Sequence, residues 1–121
     1  MAAETSRLRF SSQGSVLVVE FADRDVLDEA AIRQINSELI RQIEAAKTLH
    51  VLICFRGVEH LSSAALGTLI TVNSLVKKRS GQLRLSNIKG TILEVFRITK
   101  LDRLFQIHDS SEQALAAFPK G

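Results

Sequence analysis

The chain has 121 residues, a length typical of one domain that buries about two-thirds of its unfolded surface. With 45% hydrophobic residues, 24% charged residues and one cysteine, it has the composition of a globular protein that folds without disulfides or metal. No apolar run approaches the roughly 18 residues of a membrane span, and no leader pattern opens the chain. We expect one domain over 1–121 with an ordered core at about 8–118, cytoplasmic and without membrane insertion.

The net charge of +3 is unevenly distributed along the chain. The first sixty residues carry seven Lys/Arg and nine Asp/Glu, whereas the rest carry nine and four. Nucleic acid is one partner that a basic half could bind, but the chain has no Trp or Tyr to stack on bases. A solvated face or a dock for an acidic protein surface is the favoured interpretation, and we expect no nucleic-acid binding.

The first third of the chain predicts a hairpin followed by a surface helix. Two strand patterns, 8–10 and 16–21, are separated by a short loop that contains Gly14. A polar turn at 22–25 follows, and Asp28 is a candidate N-cap for the next helix. That helix has an apolar stripe at steps of three and four: Ile32, Ile35, Leu39, Ile43 and Ala46.

The middle of the chain combines a buried strand with a helix led by two serines. Residues 49–55 form an almost unbroken apolar run, as in a central strand that is buried on both faces. Helical spacing begins at Ser62 and Ser63, where free backbone N–H groups would suit a hydroxyl or a phosphate. The predicted core stripe of this helix comprises Ala65, Leu66, Leu69, Ile70, Val72 and Val76.

The opposite side of that helix carries only small residues: Ala64, Gly67, Thr68, Thr71 and Ser74. A helix side that faces water alone more often carries Lys or Glu, which also have higher helix propensity than Gly or Thr. Two interpretations stay open. The side packs within the fold, or it is a protein-docking face that begins at Ser63.

The remainder predicts a strand, a helix, a short strand and a final helix. Ser80 and Gly81 end the serine-led helix, and 82–86 alternates as a half-buried strand. Capping boxes are predicted at 91–94 and 109–112. The helix of the first box has an apolar stripe: Ile92, Val95, Phe96 and Ile98. A short strand is predicted at 104–107. The order predicts an α/β fold: a mixed, mostly parallel sheet of four to five strands, an opening β-hairpin and about four flanking helices.

Residue chemistry offers little support for an enzyme. No glycine-rich phosphate loop is present, and the three histidines with one cysteine form no metal-ligand spacing. His60 and Ser63 are close enough in sequence to touch, but no nucleophile elbow or orienting carboxylate accompanies them. We therefore predict no catalytic residues, no metal and no cofactor, and interpret Cys54 as an inert core residue.

Four segments, taken in order, resemble the STAS family. Residues 62–70, Ser-Ser-Ala-Ala-Leu-Gly-Thr-Leu-Ile, match the core motif Asp-Ser-Ser/Thr-Gly-Leu-Gly and the apolar residues after it. The turn at 22–25 is similar to the family's Gly-Glu-Leu-Asp turn. Residues 85–88 are similar to the family segment that follows the next strand. Residues 95–105 are similar to the family signature Phe-x-x-x-x-Leu-x-x-x-Phe. The resemblance covers about residues 8–118.

The resemblance implies an anti-sigma factor antagonist in a partner-switching pathway, a bacterial signalling protein that regulates transcription. Such a protein binds an anti-sigma factor, often a serine kinase, and is released by phosphorylation of the serine after the motif aspartate, here Ser63. Asp25 corresponds to the loop aspartate beside that serine. A phosphatase is a further candidate partner. The partner-binding residues implied are Asp25, Ser62, Ala64, Gly67, Thr68 and Thr71.

This sequence departs from the motif at Ser62, which replaces the aspartate, and at Ala64 and Ala65. One alternative is therefore a constitutive STAS subunit without phosphoregulation, associated with a transporter or a signalling scaffold. A nucleotide-binding domain is another, because some STAS members are suggested to bind nucleotides. The sequence leaves the oligomeric state open.

Overall fold

The structure, a computed structural model, describes residues 8–22, 25–26, 29–45 and 50–118. The strands in this part of the chain are β1 (Leu8–Gln13), β2 (Val16–Phe21), β3 (Asp25–Val26), β4 (His50–Cys54), β5 (His60–Leu61), β6 (Gln82–Ser86) and β7 (Gln106–His108). The helices are α1 (Glu29–Ala45), α2 (Ser63–Lys78), α3 (Gly90–Ile98) and α4 (Ser111–Ala117), with a 3-10 helix at Leu101–Arg103.

Five of the strands form one sheet in the order β1-β2-β4-β6-β7. The β1 strand pairs antiparallel with β2, and the other neighbours are parallel. The predicted mixed, mostly parallel sheet with an opening hairpin is therefore confirmed. A second, small sheet of β3 and β5 was not predicted, because two-residue strands have no periodic signal.

The central strand β4 is buried on both faces, as its apolar run predicts. Val51 and Ile53 pack in the larger core, which α1, α2 and α3 cover. Leu52 packs on the other face of the sheet with residues of β2 and α4. Helices that follow successive parallel strands lie on one face because crossover connections are right-handed. Helix α4 packs on the second face, where Ala114 contacts the core residues of β2 and β4.

The predicted stripe of α1 is confirmed at Ile32, Ile35, Leu39 and Ile43, all 5% exposed or less. Asp28 and Ala46, the predicted cap and the last stripe position, lie outside the described residues. The β1 strand is longer than predicted and reaches Gln13. Its register with β2 leaves a two-residue turn in which Gly14 adopts φ +61°, a conformation that glycine readily allows.

Both predicted capping boxes are displaced by a residue or more. Helix α3 begins at Gly90 with Lys89 as its N-cap and no side-chain capping bond, so Thr91 lies inside the helix. Helix α4 is capped by Ser110, not Asp109, and the Ser110 Oγ accepts a hydrogen bond from the Gln113 N–H. Several residues were plausible caps in each case, and packing selects among them.

The predicted apolar stripe of α3 is only half right. Ile92 and Phe96 are buried, but Val95 is 39% and Ile98 is 74% exposed. The following strand also starts later than predicted, since 101–103 forms a 3-10 helix and β7 begins at Gln106. Helix α3 has five apolar residues in nine, more than one face of a short helix can bury. Among the described helices, none combines the length and apolar character needed to cross a membrane.

Candidate functional site

The start of α2 is built so that one of its two serines is used by the helix itself. Ser62 has an extended backbone, its Oγ accepts a hydrogen bond from the Ala65 N–H at 3.2 Å, and its carbonyl accepts one from the Leu66 N–H at 3.2 Å. Ser62 is thus the N-cap, as the sequence indicates. Its hydroxyl is committed to holding the first turn.

Ser63 is the first residue of α2, and its side chain is exposed. Within the described part of the chain, no hydrogen bond engages the Ser63 hydroxyl. The first turn of α2 contains no acidic residue, so nothing there offsets the positive end of the helix dipole. A group attached to Ser63 would meet solvent and unpaired helix N–H groups.

The loop before this helix is anchored in the core by two buried side chains. Phe55 and Val58 are fully buried, and the Val58 N–H donates to the Phe55 carbonyl at 2.9 Å. The Phe55 ring lies against Phe21, with ring centroids 5.2 Å apart. These anchors fix the position at which β5 and then α2 begin, so the serines occupy a defined place.

The small sheet brings a second predicted site residue to this place. Its parallel register pairs Asp25 with His60 and Val26 with Leu61. The Asp25 backbone therefore lies beside a residue only three positions before Ser63. Asp25 and Ser63 are far apart in sequence, and the pairing of β3 with β5 brings their two segments together.

The small-residue side of α2 faces outward. Ala64, Gly67, Thr71 and Ser74 are exposed. The interpretation that this side packs within the fold is therefore wrong for these four residues. Thr68 is half-buried and lines a cavity of about 10 Å³ between α1 and α2, so it lies at the border of the exposed face. We call Ser63, Ala64, Gly67, Thr71 and Ser74 the α2 outer face.

Gly67 on the α2 outer face has no packing role inside the fold. A Cβ added to Gly67 would meet no atom within 4 Å, so no packing contact requires glycine there. The Thr71 hydroxyl donates to the Gly67 carbonyl at 3.1 Å, so it is bonded within its own helix. Glycine in a helix costs about 0.5–1 kcal/mol relative to alanine. None of the five residues of the α2 outer face carries a charged side chain.

The groups considered for catalysis or metal binding do not assemble. In the part of the chain that the structure describes, no three His, Cys, Asp or Glu residues are grouped for a metal ion. Cys54 is fully buried, donates from its thiol to Asn87 Oδ1 at 3.3 Å and lies 3.4 Å from the Ser111 Oγ. This environment agrees with the prediction of a structural cysteine.

A polar cluster that the sequence did not reveal lies at the ends of β4 and β6. Ser86 is fully buried at the end of β6 and lies 3.1 Å from the Ser111 Oγ, which donates to Asn87 Oδ1 at 2.9 Å. Asn87 has φ +61°, a left-handed conformation in which asparagine is enriched. Its place directly after a strand is the only signal in the sequence. The cluster fixes α4 to the ends of β4 and β6.

Comparison with known proteins identifies the family. The STAS domain model matches residues 7–114, nearly the whole described chain. The chain belongs to the STAS domain family. A Bordetella bronchiseptica protein, BtrV, assigned as an anti-sigma factor antagonist, is 31% identical over 93 residues, which cover 77% of this chain and 79% of that protein. The suspected resemblance to single-domain anti-sigma factor antagonists is thus supported, and with it a binding role, not an enzymatic one.

Solved structures agree with this assignment. A STAS-domain anti-sigma factor antagonist of Planctomyces limnophilus is 26% identical, with a TM-score of 0.80 over 91% of this chain and 95% of that one. Bacillus SpoIIAA in its phosphorylated form is 17% identical, with a TM-score of 0.69 over 90% of this chain and 96% of that one, and shows the shared fold. The STAS fold that the motifs predict is therefore confirmed.

Proposed function

We propose that this chain is an anti-sigma factor antagonist that binds an anti-sigma factor with serine kinase activity through the α2 outer face. Phosphorylation of Ser63 ends the binding, and a phosphatase restores it. The observation that carries the proposal is the exposed, unengaged hydroxyl of Ser63 at the border of a surface built from small residues. The pathway is bacterial and cytoplasmic and acts on transcription.

The proposed switch is a local electrostatic one. A phosphate on Ser63 adds nearly two negative charges, which the N-terminus of α2 tolerates because its dipole and N–H groups attract anions. When a partner docks, the phosphate is buried in the interface, and the α2 outer face has no basic side chain to pair with it. Binding is lost while the fold is retained, since the charge is stabilised in the free protein and desolvated in the complex.

Gly67 supports the docking role. Helix interiors favour Ala over Gly, and no internal contact at this position excludes a side chain. Close approach of another backbone is the remaining use for a missing Cβ. Asp25, whose backbone the small sheet brings to the same end of α2, and Thr68 at its border complete the proposed contact area.

One experiment separates regulation from binding. Each anti-sigma factor of the source organism is titrated calorimetrically with the native chain, Ser63→Asp and the neutral, size-matched Ser63→Asn. We expect one of them to bind the native chain and Ser63→Asn alike, and Ser63→Asp at least about ten-fold more weakly. Equal binding by all three excludes the switch, and no binding by any excludes the antagonist role.

A second variant tests the docking face by opposing effects. Gly67→Ala should raise the free energy of unfolding by about 0.5–1 kcal/mol, because glycine is replaced by a better helix former. The added methyl group should at the same time weaken partner binding. Gln113→Ala, at an exposed position of α4 on the opposite face of the sheet, is the control and should leave binding unchanged. Unchanged binding by Gly67→Ala would place the interface elsewhere.

A constitutive binding module is the second candidate, and Ser62 favours it. Ser62 stands where the family motif has an aspartate, and its hydroxyl is committed to the cap. No carboxylate is therefore available at that position to assist phosphoryl transfer or recognition. Co-purification with a transporter ATPase, together with an unmodified Ser63, would support this candidate over the first.

A further inference from the structure

We propose that one edge of the molecule docks on the anionic surface of a lipid membrane. It is the edge of the five-stranded sheet at which β6 and β7 begin, and we call it the basic edge. Five exposed cations and two exposed aliphatic residues form it: Lys77, Lys78, Arg97, Lys100, Arg103, Ile98 and Leu104.

The connections of the fold bring these residues together. Helices α2 and α3 each connect one parallel strand to the next, so both end at the edge where the next strand begins. The Gly81 N–H donates to the Val76 carbonyl at 2.9 Å, which joins the end of α2 to the start of β6. The 3-10 helix at Leu101–Arg103 lies just before β7, and Lys77 and Leu104 line one cavity at this edge.

The five cations of the basic edge have no partner inside the fold. Within the described ranges, no ion pair or side-chain hydrogen bond engages any of them. The neighbouring Arg79 differs, because its Nη1 donates to the Ile43 carbonyl at 2.8 Å. The helix dipole favours cations in the last turns of α2 and α3, but it does not account for Lys100 and Arg103, which lie beyond α3.

The carboxylates nearby do not neutralise this edge. Asp102 lies in the 3-10 helix, and Glu94 lies one helical turn before Ile98. Both are exposed, and neither forms an ion pair within the described ranges. The five cations outnumber these two carboxylates, so the edge attracts an anionic surface.

Two aliphatic side chains project among the cations. Ile98, the last residue of α3, is 74% exposed, and Leu104 is 37% exposed. Arg97 directly precedes Ile98, and Arg103 directly precedes Leu104. Interfacial membrane sites have this composition, because apolar groups enter the boundary between headgroups and acyl chains while cations meet the anionic headgroups.

The composition of the basic edge favours a lipid surface over a macromolecule. Protein interfaces are enriched in aromatic residues and depleted in Lys, and single-stranded nucleic acids stack their bases on aromatic rings. The chain has no Trp or Tyr, and all six Phe residues are buried or half-buried. Long, flexible cations adapt to mobile headgroups without a fixed complementary shape.

The basic edge is separate from the Ser63 site. Helix α2 runs from Ser63 to Lys78, a distance of about 22 Å along its axis. A chain that is docked by its basic edge therefore still presents Ser63 to a partner protein. Membrane docking does not depend on the proposed function, and either can fail without the other.

The test is co-sedimentation of the whole chain with vesicles of phosphatidylcholine alone and with about one-third phosphatidylglycerol, at low and at physiological ionic strength. We expect binding to the anionic vesicles that weakens with salt, and none to the neutral vesicles. Duplex DNA and polyglutamate are polyanions without a lipid phase. Binding to either polyanion as tightly as to the anionic vesicles, or no binding to the vesicles, would overturn the proposal.

Variants then locate the surface. Lys100→Gln and Arg103→Gln should each weaken vesicle binding about five-fold, because each removes one cation. Lys89→Gln is the control and should leave binding unchanged, since it removes an exposed cation whose Nζ lies 3.5 Å from Glu59 Oε2. Equal losses in Lys89→Gln and Lys100→Gln would mean that net charge alone attracts the chain, and the basic edge would be wrong.

Ile98→Ser tests the apolar part of the surface. It should weaken vesicle binding about five-fold, because an aliphatic side chain no longer enters the lipid. The side chain is 74% exposed in the free chain, so urea unfolding should show an unchanged free energy of unfolding. Vesicle binding that Ile98→Ser leaves unchanged would overturn the assignment of a lipid partner.

Discussion

Two helices of this protein begin with a pair of serines, and the second serine of each pair has different surroundings. Helix α2 follows Ser62-Ser63, and α4 follows Ser110-Ser111. In both, the first serine is the N-cap and accepts a hydrogen bond at 3.2 Å from the N–H three residues later. The capping hydrogen bonds of the two helix starts are therefore the same.

The second serines differ because their surroundings differ. Ser111 is half-buried and joined to Ser86, Asn87 and Cys54 at the ends of two strands. Ser63 is exposed and has no such contacts among the described residues. The two helices share their capping hydrogen bond, but the availability of the next hydroxyl is a property of the tertiary structure. Only one of the two serines is available to an outside protein.

The largest expected effect distinguishes the two second serines directly. Ser111→Asp should lower the free energy of unfolding by about 1–3 kcal/mol, because a carboxylate cannot donate to Asn87 Oδ1 and is partly desolvated. Ser63→Asp should be neutral or stabilise by about 0.3–1 kcal/mol through the helix dipole. Urea unfolding of both variants measures the difference. Equal destabilisation would mean that the two serines are not distinguished by burial.

Removal of the caps should have a smaller and more equal effect. Ser62→Ala and Ser110→Ala should each cost about 1 kcal/mol, because each leaves one helix N–H without its side-chain acceptor. Ser62→Asp and Ser110→Asp are the matched controls, since aspartate caps as well as serine. A loss in Ser62→Ala that Ser62→Asp does not restore would contradict the assignment of Ser62 as a cap.

The other end of α2 offers a gain in stability. Ser80 has φ +62°, and the N–H groups of Ser80 and Gly81 donate to the carbonyls of Lys77 and Val76 at 2.9 Å each, the pattern of a Schellman motif. Glycine normally occupies the left-handed position. Ser80→Gly should therefore stabilise the chain by about 0.5–1 kcal/mol in thermal or urea unfolding, and Ser80→Ala should not.

The smallest expected effect is a pH dependence from β7. Burial, and then the charge of Arg84, lower the pKa of His108 from its usual 6.5, whereas Asp109 opposes the shift. Between the two pKa values the unfolded chain binds more protons than the folded one. Stability should thus fall as the pH drops below about 6.5. His108→Gln should flatten this part of the stability profile, and an unchanged profile would contradict the shift.

Much of the fold follows from pattern in the sequence. The apolar run of β4 and the stripe of α1 are long and periodic, so their burial is predictable. The β3–β5 sheet, the 3-10 helix and the caps of α3 and α4 are short, and their choice depends on contacts that sequence spacing does not encode. Ile98, apolar yet 74% exposed, shows the same limit.

The site was predictable in position but not in composition. Sequence reasoning located Ser63 at a helix start and left two interpretations of the small-residue side. The exposure of Ala64 and Gly67 excludes packing within the fold at those positions, and the docking role stays a proposal. The polar cluster of Ser86, Asn87 and Ser111 was missed because each of these residues looks ordinary alone. Their significance depends on what lies around them in space.

The most direct test of the account is quantitative phosphosite mapping after the chain is incubated with ATP and the anti-sigma factor that binds it. The account predicts stoichiometric modification of Ser63 and none of Ser62, Ser110 or Ser111, together with dissociation of the modified chain. Modification of Ser111 at a rate similar to Ser63 would contradict the claim that tertiary burial selects between them. A bound partner that leaves Ser63 unmodified would contradict the switch itself.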